Sequence, residues 1–404
     1  MSHPAHYGLA ALAAAAFLSG AKPDNGAPRE VHVLFPEIRK EYLAEPADIP
    51  AFWMTTAEEV SAFLQQRVRK GKVERIGQTA GGRPIRAVFY GEPRQGKGTT
   101  TFSGALGFRD LRAYFGPDHQ KRVYLAMGAV HGGEFEGIAG IVNLLAVLET
   151  GSDLKGKAWP EINALAGQVH RIILIPITNV DGRARIPLRM EKYWETDNRP
   201  HEYLNTGARL DGENIGWPQC KEHIPLDFST VQFPGGYPND AGVNLQHDDF
   251  FGKRQPETEA LFALTARERP DVILNMHTGA PPRNYYTRMH RPFIEPALTP
   301  HFEELYRRVH TALTRAGLQS STDEALEADP KAMGMSVYNL DTALNLHCGA
   351  LAVLIEAPSH SFSGTNRQGE RVRHTPEALI DAQLVCHQEA LRFLVERGGR
   401  CAWK

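Results

Sequence analysis

Four side chains that could bind or activate a metal ion stand at or near the ends of apolar stretches in this sequence. His131 and Glu134 lie three positions apart in VHGGEFEG, directly after the apolar run 123–130. His277 ends the run DVILNMH, and Glu356 stands near the end of ALAVLIEAP. Two histidines and one glutamate form the ligand set of a catalytic zinc site, and a further carboxylate nearby can act as general base. The pattern therefore favours metal-assisted hydrolysis.

Histidine and glutamate also occur at this spacing by chance in a chain with 17 histidines. His301 with Glu304 and His374 with Glu377 are two such pairs, and both stand at predicted starts of surface helices. Neither follows an apolar strand, so helix capping or exposure to solvent explains them. The pair in HGGE differs because the chain leaves a strand, turns through two glycines and enters a helix, which places both side chains at the strand's carboxyl end.

The apolar periodicity predicts strands and helices that alternate along the chain. Four short apolar runs predict buried strands at 123–130, 171–178, 271–277 and 350–358. Amphipathic spacing predicts helices within 55–71 and at 135–150, 256–268, 302–316 and 376–397. Thr56 and Glu59 form a capping box for the first helix, and Ala80-Gly81-Gly82 is the turn of a hairpin that follows it.

Alternating strands and helices indicate an α/β fold in which helices cover both faces of the sheet. Ligands of such sheets bind beyond the carboxyl ends of the strands, where the candidate metal ligands lie. The stretch 183–250 is rich in Gly, Pro, Asn and Asp and is too long for a simple connection, which is typical of a functional loop region. No internal repeat or change of composition divides the domain.

The composition excludes several classes of partner. Lys and Arg (45) nearly balance Asp and Glu (47), for a net charge of -2, so nothing indicates binding to nucleic acid or anionic lipid. A peptide or small-molecule substrate fits this surface better. The four cysteines show no Cys-x-x-Cys spacing, which argues against a sulfur-ligated zinc site but leaves one or two disulfides open.

The N-terminus leaves two interpretations open. An uncharged apolar run from Gly8 to Leu18 precedes Ser19-Gly20-Ala21, as before a signal-peptidase site, but no Lys or Arg comes before it. Residues 1–21 are therefore either a signal peptide or an Ala-rich, disordered leader, and the protein is either exported or cytoplasmic. No run reaches the roughly 18 apolar residues of a membrane span.

An ordered series of motifs over roughly residues 55 to 395 resembles the carboxypeptidase A-like family of zinc carboxypeptidases. The motifs are IGQTAGGRPIRAV, HGGE, NVDG, PETEAL, NMHTG and LIEAP. The resemblance implies a single catalytic domain over 55–398, with a mixed, mostly parallel sheet. It also implies one Zn²⁺ per chain held by His131, Glu134 and His277, with Glu356 as general base.

Other family positions depart from the pattern. The family's Asp-Leu-Asn-Arg run, whose Asn and Arg hold the substrate carboxylate, corresponds to VNLQHD, which places Gln246 and His247 there as predicted substrate-binding residues. The alternative is that Arg254 or Arg283 meets the carboxylate. The resemblance further suggests an oxyanion-stabilising group at Arg189 or Lys192, and a substrate-covering tyrosine at Tyr338, Tyr285 or Tyr286. The loops 183–250 are expected to form one wall of the cleft.

Three functions are compatible with these residues. The first is a zinc metallocarboxypeptidase that removes the C-terminal residue of a peptide. The second is a related zinc amidohydrolase that deacylates N-acyl amino acids, which the altered VNLQHD run leaves open. The third is a catalytically silent zinc-binding module, although a purely structural site would need no base such as Glu356. The sequence does not indicate an oligomeric state.

Overall fold

The computed structural model describes residues 38–222, 224–279, 288–290, 294–318, 338–365 and 370–403. The predictions for residues 1–21 and for Tyr285, Tyr286 and Arg283 lie outside these ranges. Eleven strands are present in the described part: β1 Lys72–Gln78, β2 Pro84–Gly91, β3 Val123–Gly128, β4 Arg171–Ile175, β5 Ala208–Arg209, β6 Val231–Phe233, β7 Val272–Thr278, β8 Arg288–His290, β9 Leu351–Ala357, β10 Gly364–Thr365 and β11 Arg371–Val372.

Seven of these strands form one mixed sheet in the order β1-β2-β4-β3-β7-β9-β8. The four central strands β4, β3, β7 and β9 are parallel, whereas β2 pairs antiparallel with β1 and β4, and β8 pairs antiparallel with β9. Every residue of β3, β4 and β7 is buried, which requires cover on both faces of the sheet. The predicted mixed, mostly parallel α/β sheet is confirmed.

Eleven α-helices occur in the described ranges: α1 Ala57–Arg67, α2 Phe102–Phe108, α3 Arg112–Phe115, α4 Phe135–Thr150, α5 Pro160–Ala166, α6 Val180–Arg185, α7 Arg199–Thr206, α8 Pro256–Glu268, α9 Thr299–Arg315, α10 Leu340–Cys348 and α11 Pro376–Arg397. Helix α11 packs on α4, α5 and α9, and α8 packs on β1 and α10. None of these helices has the length and apolar character needed to cross a membrane. The described residues belong to one compact unit.

The first two local predictions are confirmed and explain two of the motifs. Thr56 and Glu59 form the predicted capping box of α1. The β1–β2 hairpin turns at the predicted glycines, and Asp181 of NVDG holds that turn. Its carboxylate accepts from Thr79 Oγ1 at 2.5 Å and from the Gly81 backbone N–H at 2.8 Å. The β1–β2 hairpin and the NVDG motif thus form one structural unit beside the carboxyl ends of the parallel strands.

Two further expectations have plain outcomes. All four cysteines lie in the described ranges, and none forms a disulfide. His374, from the chance pair His374 and Glu377, is buried and not exposed to solvent, because it precedes α11 at a covered position. Among the described residues, His, Cys, Asp and Glu side chains form one cluster that could hold a metal ion, and neither His301 with Glu304 nor His374 with Glu377 belongs to it.

Candidate metal centre

Three predicted ligands meet in one buried cluster. His131 Nδ1 lies 2.7 Å from Glu134 Oε1, and His277 Nδ1 lies 2.9 Å from Glu134 Oε2. One ligand atom from each of the three residues lies within 4.8 Å of the others. All three side chains are buried. Residues that are 146 positions apart at the extremes are therefore arranged as the sequence predicted.

Close backbone packing around HGGE brings His131 and Glu134 to this place. After β3 the chain passes Ala129, whose φ is +49°, and then the two glycines. A Cβ atom on Gly132 would lie 2.1 Å from the backbone nitrogen of Arg183, and one on Gly133 would lie 2.7 Å from Asn205 Oδ1. Side chains at these positions would force α6 or α7 away. The glycines are therefore required by the close approach of the loops that surround the cluster.

Glu134 occupies the N-cap position of α4 but makes no capping hydrogen bond with its side chain. Its carboxylate instead accepts from Thr278 N–H at 3.1 Å and from Asn205 Nδ2 at 3.4 Å, besides contacting the two histidines. These contacts direct the Glu134 carboxylate toward the two histidines and the end of β7, and not toward the first turn of α4. A buried carboxylate with donors on several sides is held rigidly in place.

Two residues that the sequence did not single out fix the His131 ring. Its Nε2 lies 3.0 Å from Asn244 Oδ1, and its face stacks on Tyr237 at a centroid distance of 3.7 Å. Donation from Nε2 to the amide oxygen leaves Nδ1 as the lone-pair donor toward the cluster. Asn179 of NVDG in turn donates to the Tyr237 carbonyl at 3.0 Å. Asn244 stands within VNLQHD, which was the one sequence signal for this role.

The electrostatics of the cluster suit a cation. Burial disfavours a charge on His277, yet the Glu134 carboxylate raises the pKa of His277 to about 9. Without a metal, the Glu134 carboxylate thus favours a positive charge on His277 despite its burial. Two imidazole nitrogens and a carboxylate are the donors that zinc prefers. The residues present fit a zinc ion.

Strand β9 presents Glu356 beside the three ligands. Glu356 stands directly opposite His277 in the parallel pairing of β7 and β9. A Cβ atom on Gly279 would lie 2.9 Å from Glu356 Oε2, so the carboxyl group reaches over the end of β7. After burial and Glu134, the Glu356 charge is a further influence on the pKa of His277, which it raises. We refer to His131, Glu134, His277 and Glu356 together as the centre.

Comparison with known proteins agrees with this geometry. The family model for zinc carboxypeptidases matches residues 60–343. The chain belongs to the zinc carboxypeptidase family. It is a zinc metallocarboxypeptidase-type hydrolase, and zinc is the metal of its family. Comparison with curated protein sequences gave no match.

Solved carboxypeptidase structures share the fold at low sequence identity. A metallo-carboxypeptidase from Burkholderia cenocepacia is 16% identical, with 84% of this chain and 69% of that chain covered and a TM-score of 0.50. A metallo-carboxypeptidase from Pseudomonas aeruginosa is 14% identical over 84% of this chain and 69% of that chain, with a TM-score of 0.48. The first likeness confirms the predicted carboxypeptidase-like architecture; at such identities it concerns the fold alone.

The Gln246 side chain of this carboxypeptidase points into the protein core, which corrects the prediction that this residue contacts substrate. Gln246 Nε2 donates to Asp341 Oδ2 at 2.7 Å, and Gln246 Oε1 accepts from Asn275 Nδ2 at 3.2 Å. Gln246 is 3% exposed. Both ends of its amide are therefore used to join the loop 245–247 to α10 and β7.

His247 lies close to the centre but cannot replace an arginine at neutral pH. Burial, and then the charges of Lys221, His131 and His277, lower the pKa of His247 to about 3. A neutral imidazole offers one hydrogen-bond donor and no charge to a carboxylate. His247 therefore does not supply the positive charge of the family's arginine at neutral pH, and a role for it in substrate binding stays a prediction.

The two candidates for an oxyanion-stabilising group are engaged elsewhere. The Arg189 guanidinium pairs with Glu59 and donates to the Trp53 carbonyl at 3.1 Å. Lys192 is exposed, with its ammonium 5.2 Å from the ring centroid of Trp194. In the described part of the chain, neither residue has a contact with the centre. Their contacts lie with Glu59, Trp53 and Trp194, so an oxyanion-stabilising role for either residue stays a prediction.

Tyr338 and Arg254 belong to an aromatic surface group. The Tyr338 ring stacks on Phe251 at a centroid distance of 5.4 Å, and Phe251 is 85% exposed. Arg254 pairs with Glu259 at 2.9 Å and covers the Phe262 ring. These contacts do not place either residue at the centre, so the roles suggested for them in substrate binding remain predictions.

Lys221 is a basic residue near His247 that the sequence did not single out. It ends the turn Gln219–Lys221 in the loops 183–250, and its ammonium lies 4.6 Å from the ring centroid of Trp217. Its charge acts on His247, and the preceding Cys220 lines a small cavity together with Tyr237 and Asn244, the two side chains that contact His131. Within the described ranges Lys221 forms no ion pair. The loops 183–250 thus supply Asn205, Tyr237 and Asn244, which contact Glu134 or His131, and their role as a wall of the cleft stays a prediction.

Proposed function

We propose that this carboxypeptidase removes the C-terminal residue of a peptide, with Glu356 as the general base. The observation that carries the proposal is the position of Glu356 opposite His277, beside three buried side chains with the donor set of a catalytic zinc site. A closed structural site would provide a fourth ligand and no separate carboxylate. The Glu356 position therefore favours catalysis over a silent zinc-binding module.

In the proposed reaction His131, Glu134 and His277 would hold the zinc ion. When bound there, zinc supplies a Lewis acid that polarises the scissile carbonyl and makes water more acidic. Glu356 accepts a proton from the attacking water as its oxygen adds to the carbonyl carbon. The same carboxyl group then returns the proton to the leaving amine nitrogen as the C–N bond breaks. Hydrogen bonds to Asn244, Asn205 and Thr278 keep the ligands oriented throughout.

Recognition of the free carboxylate needs a positive charge, and we assign that role to Lys221. The family's arginine position is occupied by His247, which is neutral at pH 7. Lys221 acts electrostatically on His247 and has no ion-pair partner in the part of the chain that the structure describes. An ammonium binds a carboxylate as a point charge, without the two-pronged geometry of arginine.

A substrate panel distinguishes this function from its alternatives. We expect the zinc-loaded protein to hydrolyse peptides with a free C-terminal carboxylate and to act poorly on the same peptides when amidated. N-acyl amino acids also carry a free carboxylate but lack a peptide chain upstream of the scissile bond, and we expect them to be weaker substrates. Preferential turnover of N-acyl amino acids would instead support a deacylase. Activity on amidated peptides equal to that on free ones would contradict exopeptidase activity.

Replacing Lys221 by Met should raise the KM for free-carboxylate peptides on the order of tenfold, because a charge-assisted interaction is lost while an apolar chain still covers Trp217. The KM for amidated peptides should not change. Lys192→Met is a matched control, since Lys192 also lies over a tryptophan but has no contact with the centre in the described ranges. Equal effects of the two variants, or no effect of Lys221→Met, would exclude Lys221 as the carboxylate-binding residue.

A further inference from the structure

A second buried layer of polar side chains lies directly behind the centre, and we call it the supporting layer. Thr278 Oγ1 donates to Glu136 Oε2 at 2.8 Å. The other carboxylate oxygen of Glu136 accepts from the His360 backbone N–H at 3.0 Å and lies 3.0 Å from His360 Nδ1. His360 Nε2 lies 3.1 Å from the Glu191 carbonyl oxygen, and the Glu191 carboxylate lies 3.1 Å from His201 Nδ1. All five residues are buried.

The supporting layer joins the chain segments that carry the centre. Thr278 directly follows the ligand His277, and its backbone N–H donates to the ligand Glu134. Its hydroxyl bonds to Glu136, which lies in the first turn of α4, two residues after that ligand. His360 lies in the loop after β9, the strand that carries the proposed general base. One carboxylate thus connects the start of α4, the end of β7 and the loop that leaves β9.

Because Glu136 is buried, the groups that hydrogen-bond to its carboxylate are held in fixed positions. It is 2% exposed, and a buried carboxylate without hydrogen-bond donors is strongly unfavourable. Its two carboxylate oxygens are contacted by Thr278 Oγ1 and by the backbone N–H and Nδ1 of His360. The Trp53 ring packs against the His360 ring at a centroid distance of 4.8 Å and limits its movement. Groups that hydrogen-bond to a buried carboxyl group in such a packed space have little freedom to shift.

We propose that Glu136 is a positioning residue which, through Thr278 and His360, fixes the distance between the metal ligands and Glu356. The part of this proposal that concerns Glu356 as the base rests on the proposed function, whereas the expected effect of Glu136 on zinc affinity does not. Hydrogen-bonding partners around metal ligands typically contribute 10–100-fold to metal affinity or activity. Loss of the Thr278 hydroxyl should therefore weaken both zinc binding and the chemical step, without changing any group that touches substrate.

The decisive variant is Thr278→Val, which keeps the shape of the side chain and the strand propensity while removing the hydroxyl. We expect zinc affinity, measured by competition with a chelator, to fall by about 10–100-fold. In fully zinc-loaded protein, kcat should fall while KM stays nearly constant. Thr278→Ser retains the hydroxyl and should recover most of both losses.

Thr265→Val is the matched control, because the buried Thr265 hydroxyl bonds to α8 carbonyl oxygens and not to the supporting layer. Equal losses in the two valine variants would show general destabilisation and overturn the proposal, as would unchanged zinc affinity in Thr278→Val. Glu136→Gln is a second variant with the same expected losses if the first does not fold. If the wild-type protein hydrolyses nothing in the substrate panel, the proposed function fails, while the zinc affinities still decide this inference.

Discussion

Replacing Glu356 by Gln should lower kcat by about 10²–10⁴-fold, the usual contribution of a general acid–base group. Gln has nearly the same shape but cannot accept a proton at neutral pH. Zinc content should stay at the wild-type level, because Glu356 is not one of the three side chains that form the ligand cluster. Steady-state kinetics with a free-carboxylate peptide, together with metal analysis of the same sample, would measure both quantities.

A suitable control is Glu377→Gln, which makes the same chemical change at an exposed glutamate in the first turn of α11. This variant should retain wild-type kcat and zinc content. If Glu356→Gln lost its zinc, its role would be that of a ligand. Undiminished hydrolysis in a zinc-loaded Glu356→Gln protein would require another base and would reject the proposed mechanism.

The centre could be predicted from the sequence because its residues stand at strand ends. Apolar runs identified β3, β7 and β9 as buried strands, and the carboxyl ends of neighbouring parallel strands lie at one edge of a sheet. His277 and Glu356 were therefore expected near each other, and the structure pairs them directly. The glycines of HGGE added a local signal, since they allow the tight turn from β3 into α4.

The walls of the cleft could not be predicted in the same way, because they depend on contacts between distant loop residues. Gln246 turns inward because Asp341, 95 positions later, accepts its amide hydrogen bond. Arg189 is held by Glu59 of α1, and no periodicity of the sequence relates the two. Lys221 follows no recognisable motif, and only the folded loops 183–250 bring its charge to His247.

The supporting layer shows the same division between local pattern and tertiary contact. Glu136 follows the HGGE motif by two residues. Its sequence position predicts an ordinary acidic residue in the first turn of a helix, exposed to solvent and stabilised by the helix dipole. Only the loop after β9 and the end of β7 reveal its partners, His360 and Thr278. A charged residue in a strongly apolar helix such as α4 was nonetheless a signal that a buried partner exists.

Replacing Glu134 by Gln should weaken zinc binding, which Glu356→Gln should leave unchanged, because it removes the negative charge of the metal site. Wild-type protein purified without chelator should contain about one equivalent of zinc. In Glu134→Gln the affinity should fall by more than the roughly 100-fold upper range expected for groups that only support ligands. Activity should be lost in proportion to the metal.

Both variants are expected to be inactive at low zinc, so the response of each variant's activity to added zinc is what assigns the two roles. Glu134 lies between the two histidines at 2.7 and 2.9 Å, so its charge serves the cation. Raising the zinc concentration should therefore restore part of the Glu134→Gln activity and none of the Glu356→Gln activity, because added metal cannot supply a missing base. Recovery of Glu356→Gln by zinc, with no recovery of Glu134→Gln, would reverse the two assignments.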